Sequence, residues 1–361
     1  MSPKDSPETR AFGAHADRAL DTGETAAAPL TVADLVEIND RFHDSALLHF
    51  ANRCGLFEQL RTPQDVASLA AANGWLPRKA QVMLDAMVAL GLLEIEDGRY
   101  RNAPAVARSL LRDADLSLAP VVEYQHRQWD LWNRIGEVLS SEDAIPAQQE
   151  ISLRDDPGTN RQYNTAMRNL SVGNIARFLD LGLVREGDRV LDLGGGHGAY
   201  ATELARTLPG VSGEIWDLET VAEIARETID GHGVGDRVTF RTQDIADLSA
   251  YRDHKADVVL LNNVLHYFDP DTARAIVRTA AGTLRPGGRL AITAVRLEDD
   301  RRTPSAAARF SFYMVLNAAG GQLHATDWLA ETLRDCGLAV EEVPFGSLGI
   351  MPTTVLIGRP A

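Results

Sequence analysis

Cysteine is nearly absent, with two in 361 residues, Cys54 and Cys336. That excludes a disulfide framework, and the two lie too far apart in sequence to suggest a metal-ligand spacing. A reducing cytoplasm is the expected compartment. Basic residues are also scarce: 36 Lys and Arg stand against 51 Asp and Glu, a net charge of −15. Such a balance argues against a nucleic-acid backbone or an anionic membrane as the main partner. No apolar run approaches the length of a membrane span. Residues 1–10 lack the apolar core of a secretory signal, so none is expected. What remains is an ordinary globular composition, 45% hydrophobic and long enough for two domains.

Residues 1–27 are rich in Ala, Pro, Ser, Thr and charge, and read as a mobile tail. From Leu30 the pattern turns helical, with apolar residues at helical spacing over residues 46–60. Thr62 followed by Pro63 predicts a helix start, with Asp65 completing an approximate capping box. A short helix over 65–72 and a second over 77–90 then precede a hairpin signal centred on Asp97-Gly98. Helix, helix, hairpin makes residues 28–112 a winged-helix unit. Such units often bind DNA, so a metabolite-sensing regulator is a rival reading. Against it, the 77–90 helix carries only Arg78 and Lys79 as basic residues and is otherwise mostly apolar. Residues 113–183 are expected to be a helical linker roofing a pocket. Residues 184–361 alternate strands and helices.

The most informative segment is Arg189-Val-Leu-Asp-Leu-Gly-Gly-Gly-His-Gly198. An apolar strand carrying Asp192 breaks into glycines, and a helix follows over 199–207. Glycines let a ligand approach the backbone, and a helix start offers free N–H groups. The pattern Gly194-x-Gly196-x-x-Ala199 also fits a dinucleotide fingerprint, with Asp217 as its ribose acid. Three features favour another cofactor. Asp192 stands where it can accept from a cationic amino group. Asp244 closes the next strand, where an adenine amino group would be met. Pro286-Gly-Gly288 precedes a later strand.

Together these features resemble the S-adenosylmethionine-dependent methyltransferases. The winged-helix front and the run Leu265-His-Tyr-Phe-Asp269 narrow the resemblance to the small-molecule O-methyltransferases, of the plant phenolic and bacterial polyketide-tailoring type. It implies an α/β fold, with a Rossmann-like class I methyltransferase sheet behind an N-terminal winged-helix dimerisation domain. It further implies that Gly194 and Gly196 face the methionine part of the cofactor and that Asp217 holds the ribose hydroxyls. Asp244 and Ile245 would border the adenine, and Ser171 would lie near the cofactor carboxylate.

A sulfonium methyl is already electrophilic, so the chemistry needs one base near the cofactor's edge. His266 is expected at the carboxyl end of the strand beginning at Ala256, and the resemblance gives it the role of taking the acceptor's proton. Many relatives flank this His with two glutamates. Here Thr293-Ala294-Val295 has no acid, and His324 follows the later Gly-Gly. Phenols and enols, which ionise readily, therefore suit the site better than aliphatic alcohols. His126, Arg127, Met167 and His324 are the candidate acceptor-pocket residues. A second reading joins His266 and His324 through a divalent metal, with His126 as a conceivable third ligand, for C-methylation of an α-keto acid. Arg127, Arg168, Arg296 or Arg309 would then pair with the carboxylate. A third reading is a cofactor-binding enzyme that transfers no methyl. His197 is expected to be an ordinary loop residue of the glycine turn, and His232 and His254, in polar connections, to be solvated. The assembly implied is a homodimer acting on a small molecule.

Overall fold

The computed structural model describes residues 29–114, 117–140 and 157–360. The expected N-terminal tail lies outside them. Two compact units divide between Trp129 and Asp130, so the segment expected as a linker is shared between both.

In the N-terminal unit, helix α1 (Val32–Arg53) opens with a reciprocal capping box between Thr31 and Asp34. Helices α2 (Val66–Asn73) and α3 (Pro77–Ala89) lead into strands β1 (Leu93–Glu96) and β2 (Arg99–Asn102), and α4 (Ala119–Arg127) follows. The hairpin turns at Asp97 and Gly98, both with positive φ (49° and 76°), as a two-residue turn between twisted strands requires. The helix expected to start at Thr62 starts later. The backbone of Gln64 is drawn into a bridge with Tyr100, and the Asp65 carboxylate then caps α2 by accepting from the Ser68 amide at 2.8 Å. Leu56, Phe57, Leu60, Leu84, Met87 and Leu93 are its core.

The C-terminal unit is built on strands β3 (Arg189–Leu193), β4 (Ser212–Asp217), β5 (Val238–Thr242), β6 (Ala256–Asn262), β7 (Leu284–Val295), β8 (Leu338–Leu348) and β9 (Met351–Pro360). They form one sheet in the order β5-β4-β3-β6-β7-β9-β8. The first five are parallel, and β9 lies antiparallel between β7 and β8. Helices α5 (Pro157–Asp180), α6 (Ala199–Thr207), α7 (Ala222–Gly231), α8 (Pro270–Gly282), α9 (Ser305–Asn317) and α10 (Thr326–Arg334) complete the unit. Phe178 of α5 and Leu204 of α6 pack on one face of the sheet, and Ile276 of α8 and Leu333 of α10 on the other. Covered on both faces, the middle strands read as unbroken apolar runs such as Val258-Val-Leu-Leu261. Strand order reverses between β3 and β6, which opens a crevice at their carboxyl ends.

Strand β6 is shorter than expected. It stops at Asn262 because Asn263 takes a left-handed conformation, φ 52°. His266 therefore sits beyond the strand, in the one-turn helix Leu265–Tyr267. Asp269 then caps α8, its carboxylate accepting from the amides of Asp271 and Thr272 at 3.0 Å each.

Candidate active site

The glycine turn leaves β3 over the crevice, with Gly194, Gly196 and Gly198 all at positive φ. At Gly194 the conformation coincides with a close approach, since a Cβ there would stand 2.3 Å from Val264 Cγ2. The glycine turn and the turn bearing His266 are thus packed together. Asp192 is buried beneath the same loop, and a Cβ at Gly195 would lie 2.8 Å from its Cγ and Oδ2. Neither of its oxygens has a hydrogen-bond partner among the described residues. Burial pushes its carboxyl up to about 7, and Asp217 adds to the rise.

Asp217 ends β4 facing the glycine turn. The Gly196 and Leu218 amides each donate to one of its oxygens at 2.7 Å. Each oxygen keeps a lone pair for a hydroxyl. Burial raises its carboxyl above the usual range; these two amides oppose the rise, and Asp244 reinforces it. The Gln243 amide donates to the Asp217 carbonyl at 2.8 Å and sets the chain after β5 alongside. Asp244 is exposed and accepts from the Ala246 amide, while Ile245 is buried. Glycine turn, Asp217 and the Asp244–Ile245 pair follow one another along the carboxyl ends of β3, β4 and β5.

Helix α5 supplies the opposite wall. Asn164 Oδ1 would be 4.0 Å from a Cβ at Gly196. Its amide donates to the Asn160 carbonyl at 3.1 Å, and the Asn160 amide in turn reaches the Thr220 carbonyl in the loop after β4. Met167, Arg168 and Ser171 are half-buried on the same helix, with the Ser171 hydroxyl donating to the Arg168 carbonyl at 2.8 Å. His197 is buried in the glycine turn, and its Nδ1 accepts from the Ala199 amide at 3.2 Å. Burial, then the Arg168 charge, pulls its imidazole down to about 4.

His266 is 8% exposed. Burial, then the neighbouring His324, holds its imidazole down to about 3, so it is neutral at pH 7 and a weak base. Its ring lies 4.8 Å from that of Tyr267 and meets Phe310 edge-on at 5.6 Å. Phe310 stacks on Tyr313, which stacks on Trp132, at centroid distances of 5.6 and 6.4 Å. This row runs from a largely exposed Trp to the buried imidazole. The small cavity beside His266 is walled by Val264, Thr293, Val295, Leu323 and His324, with no carboxylate in its lining. His324 Nε2 is 3.1 Å from the Leu265 carbonyl and its ring stacks on Trp328 at 4.6 Å. The bond makes His324 a brace for the turn.

His126 and Arg127 belong to α4 in the N-terminal unit, where the Arg53 guanidinium donates to His126 Nε2 at 2.7 Å. Arg296 pairs with Glu298 at 2.9 Å, and Arg309 is exposed on α9. His232 bonds the Thr228 carbonyl, and His254 accepts from Arg241 at 2.8 Å. No group of three His, Cys, Asp or Glu side chains with metal-site geometry occurs among the described residues. Reading the sequence missed Tyr163, Asn164, Tyr267, Phe310 and Tyr313. The one signal for the last two was their i, i+3 spacing on an apolar helix. It also missed Asn262 and Asn263 at the crevice edge, where Asn262 Nδ2 and Asn263 Oδ1 are buried without partners among the described residues.

Residues 148–337 match the family described as an O-methyltransferase domain. The chain is 31% identical to 3-hydroxy-5-methyl-1-naphthoate 3-O-methyltransferase of Streptomyces sahachiroi, over 82% of this chain and 86% of that one. Among solved structures, an O-methyltransferase family protein from Burkholderia thailandensis superimposes with a TM-score of 0.85 at 40% identity, covering 92% and 99% of the two chains. Human N-acetylserotonin methyltransferase in complex with S-adenosylmethionine gives 0.76 at 22% identity, covering 94% and 100%. At that identity the likeness is one of fold.

Proposed function

Because the chain belongs to the S-adenosylmethionine-dependent O-methyltransferase family, we propose that it methylates an acidic hydroxyl on a flat aromatic specialised metabolite, with His266 as the base. The bound cofactor supplies an electrophilic sulfonium methyl. Everything else falls to the chain. Asp217 holds the ribose hydroxyls, Gly194 and Gly196 give room to the methionine part, and Asp244 and Ile245 border the adenine. Met167 and Ser171 face the same cleft from α5. His266 accepts the hydroxyl proton at an imidazole nitrogen, and its enclosure keeps water from competing.

The observation that carries the acceptor class is the aromatic row from Trp132 through Tyr313 and Phe310 to His266. Stacked rings offer broad π faces to a planar acceptor and little to a small keto acid. The depressed imidazole, without a carboxylate beside it, is a weak base suited to a hydroxyl that ionises readily. The relative from Streptomyces sahachiroi, named for a hydroxynaphthoate, accords with this. The test is turnover with S-adenosylmethionine on 3-hydroxy-1-naphthoate and on pyruvate, with and without a chelator. A chelator-insensitive aryl methyl ether is expected. Chelator-sensitive C-methylation of the keto acid would overturn the reading.

Assembly and location extend the proposal. Helix α1 carries Val32, Leu35, Val36, Ile38 and Phe42 at exposed positions, a stripe that a second copy would cover. We read the enzyme as a homodimer. No helix among the described residues is long and apolar enough to cross a membrane. Both cysteines are free, which suits a reducing cytoplasm.

A further inference from the structure

We propose that Tyr163 and Tyr267 are positioning residues for the base, acting through the hydrogen bond between their hydroxyls. The inference rests on His266 being the base. His266's imidazole forms no hydrogen bond among the described residues, so no polar partner fixes its orientation. Its backbone is held: the Gln322 amide donates to the His266 carbonyl at 3.0 Å, and the neighbouring Leu265 carbonyl accepts from His324. The side-chain torsions are left to ring contacts, with Tyr267 on one side and Phe310 edge-on.

Tyr267 is only half-buried and packing alone confines it loosely. Its hydroxyl lies 2.8 Å from that of Tyr163 on α5. One residue further along α5 is Asn164, beside Gly196 and Asp217. The hydroxyl pair therefore joins the helix that walls the cofactor edge to the ring that confines the imidazole. Where a carboxylate partner is missing, this link sets the register between base and cofactor edge. A misplacement of about 1 Å at a reacting centre lowers rate by as much as about a hundredfold.

The variants Tyr163→Phe and Tyr267→Phe each delete one hydroxyl and keep the ring. Each is expected to lower kcat roughly tenfold with both KM values within about twofold. The loss in the double variant should fall well short of the product of the two single losses, because the bond between the hydroxyls is broken in each. The loss should shrink when 3-hydroxy-1-naphthoate is replaced by a nitro derivative that is already ionised at the assay pH. A merely structural role would lower the two rates alike. Imidazole NMR of the S-adenosylhomocysteine complex needs no acceptor: sharp His266 signals in the wild type should broaden in both variants. Wild-type kcat with unchanged line widths would overturn the proposal. His266→Gln separates the two ideas. If it is inactive while both Tyr variants behave as wild type, only the positioning role fails; if it turns over normally, the base assignment fails.

Discussion

Burial acts on Asp192 and on His266 in opposite senses. Asp192 is pushed up to about 7 and His266 down to about 3, each chiefly by loss of solvent around the charged form. For the carboxyl, the folded value is raised, so its contribution to stability is whole below the unfolded value near 3.8 and is lost as pH rises towards 7. For the imidazole, the folded value is depressed from 6.5, so its contribution is present above that pH and is lost as pH falls towards 3. Asp192→Asn keeps the shape and removes the titration. In cofactor-free protein its Tm advantage over the wild type should grow by about 5 °C between pH 4 and pH 8 by scanning calorimetry. A difference that does not change with pH would refute the account of Asp192. At this scale, the places of Asp217 at the end of β4 and of His266 just past β6 were legible, because each comes at the carboxyl end of a strand pattern. The orientation of Asp192 was not, since an acid two residues before a glycine can face the cleft or the core. The aromatic row joins residues about 180 positions apart, and no local pattern records such a contact.

The glycine turn is an element whose geometry allows no side chain at one position. Gly194 has φ 67°, and its missing Cβ leaves the space that Val264 fills. Gly194→Ala is expected to lose about 2 kcal/mol or more through backbone strain and overpacking. Because Val264 belongs to the turn that carries His266, the same change should weaken cofactor binding at least roughly tenfold. Urea denaturation and isothermal titration measure the two effects, and wild-type values in both would contradict the packing described. The elements themselves were largely readable from period and punctuation, including the hairpin at Asp97-Gly98. Ends were harder to place. The start of α2 moved because Gln64 pairs with a residue 36 positions away, and β6 ended early because Asn263 turned left-handed. Both shifts come from tertiary partners or backbone conformation that neighbouring residues do not encode.

For the whole molecule, family and fold were legible together, because glycine turn, Asp217 and Pro-Gly-Gly follow in one order along a doubly wound sheet. Where the chain divides was less so, since helical periodicity runs on through Trp129 and Asp130 without a break. Assembly is tested on α1: Leu35→Glu with Phe42→Glu should turn the expected dimer into a monomer by light scattering, and an unchanged mass would show that this face is not the interface. The central claim is transfer of a cofactor methyl to a hydroxyl by way of His266. Its most direct measurement is a single turnover with trideuteromethyl S-adenosylmethionine and 3-hydroxy-1-naphthoate, comparing the wild type with His266→Ala by mass spectrometry. The wild type should give labelled aryl ether and S-adenosylhomocysteine in equal amounts, while the variant binds the cofactor with unchanged affinity and yields no ether within the same time. Label on carbon, or ether formed by the variant at the wild-type rate, would contradict it.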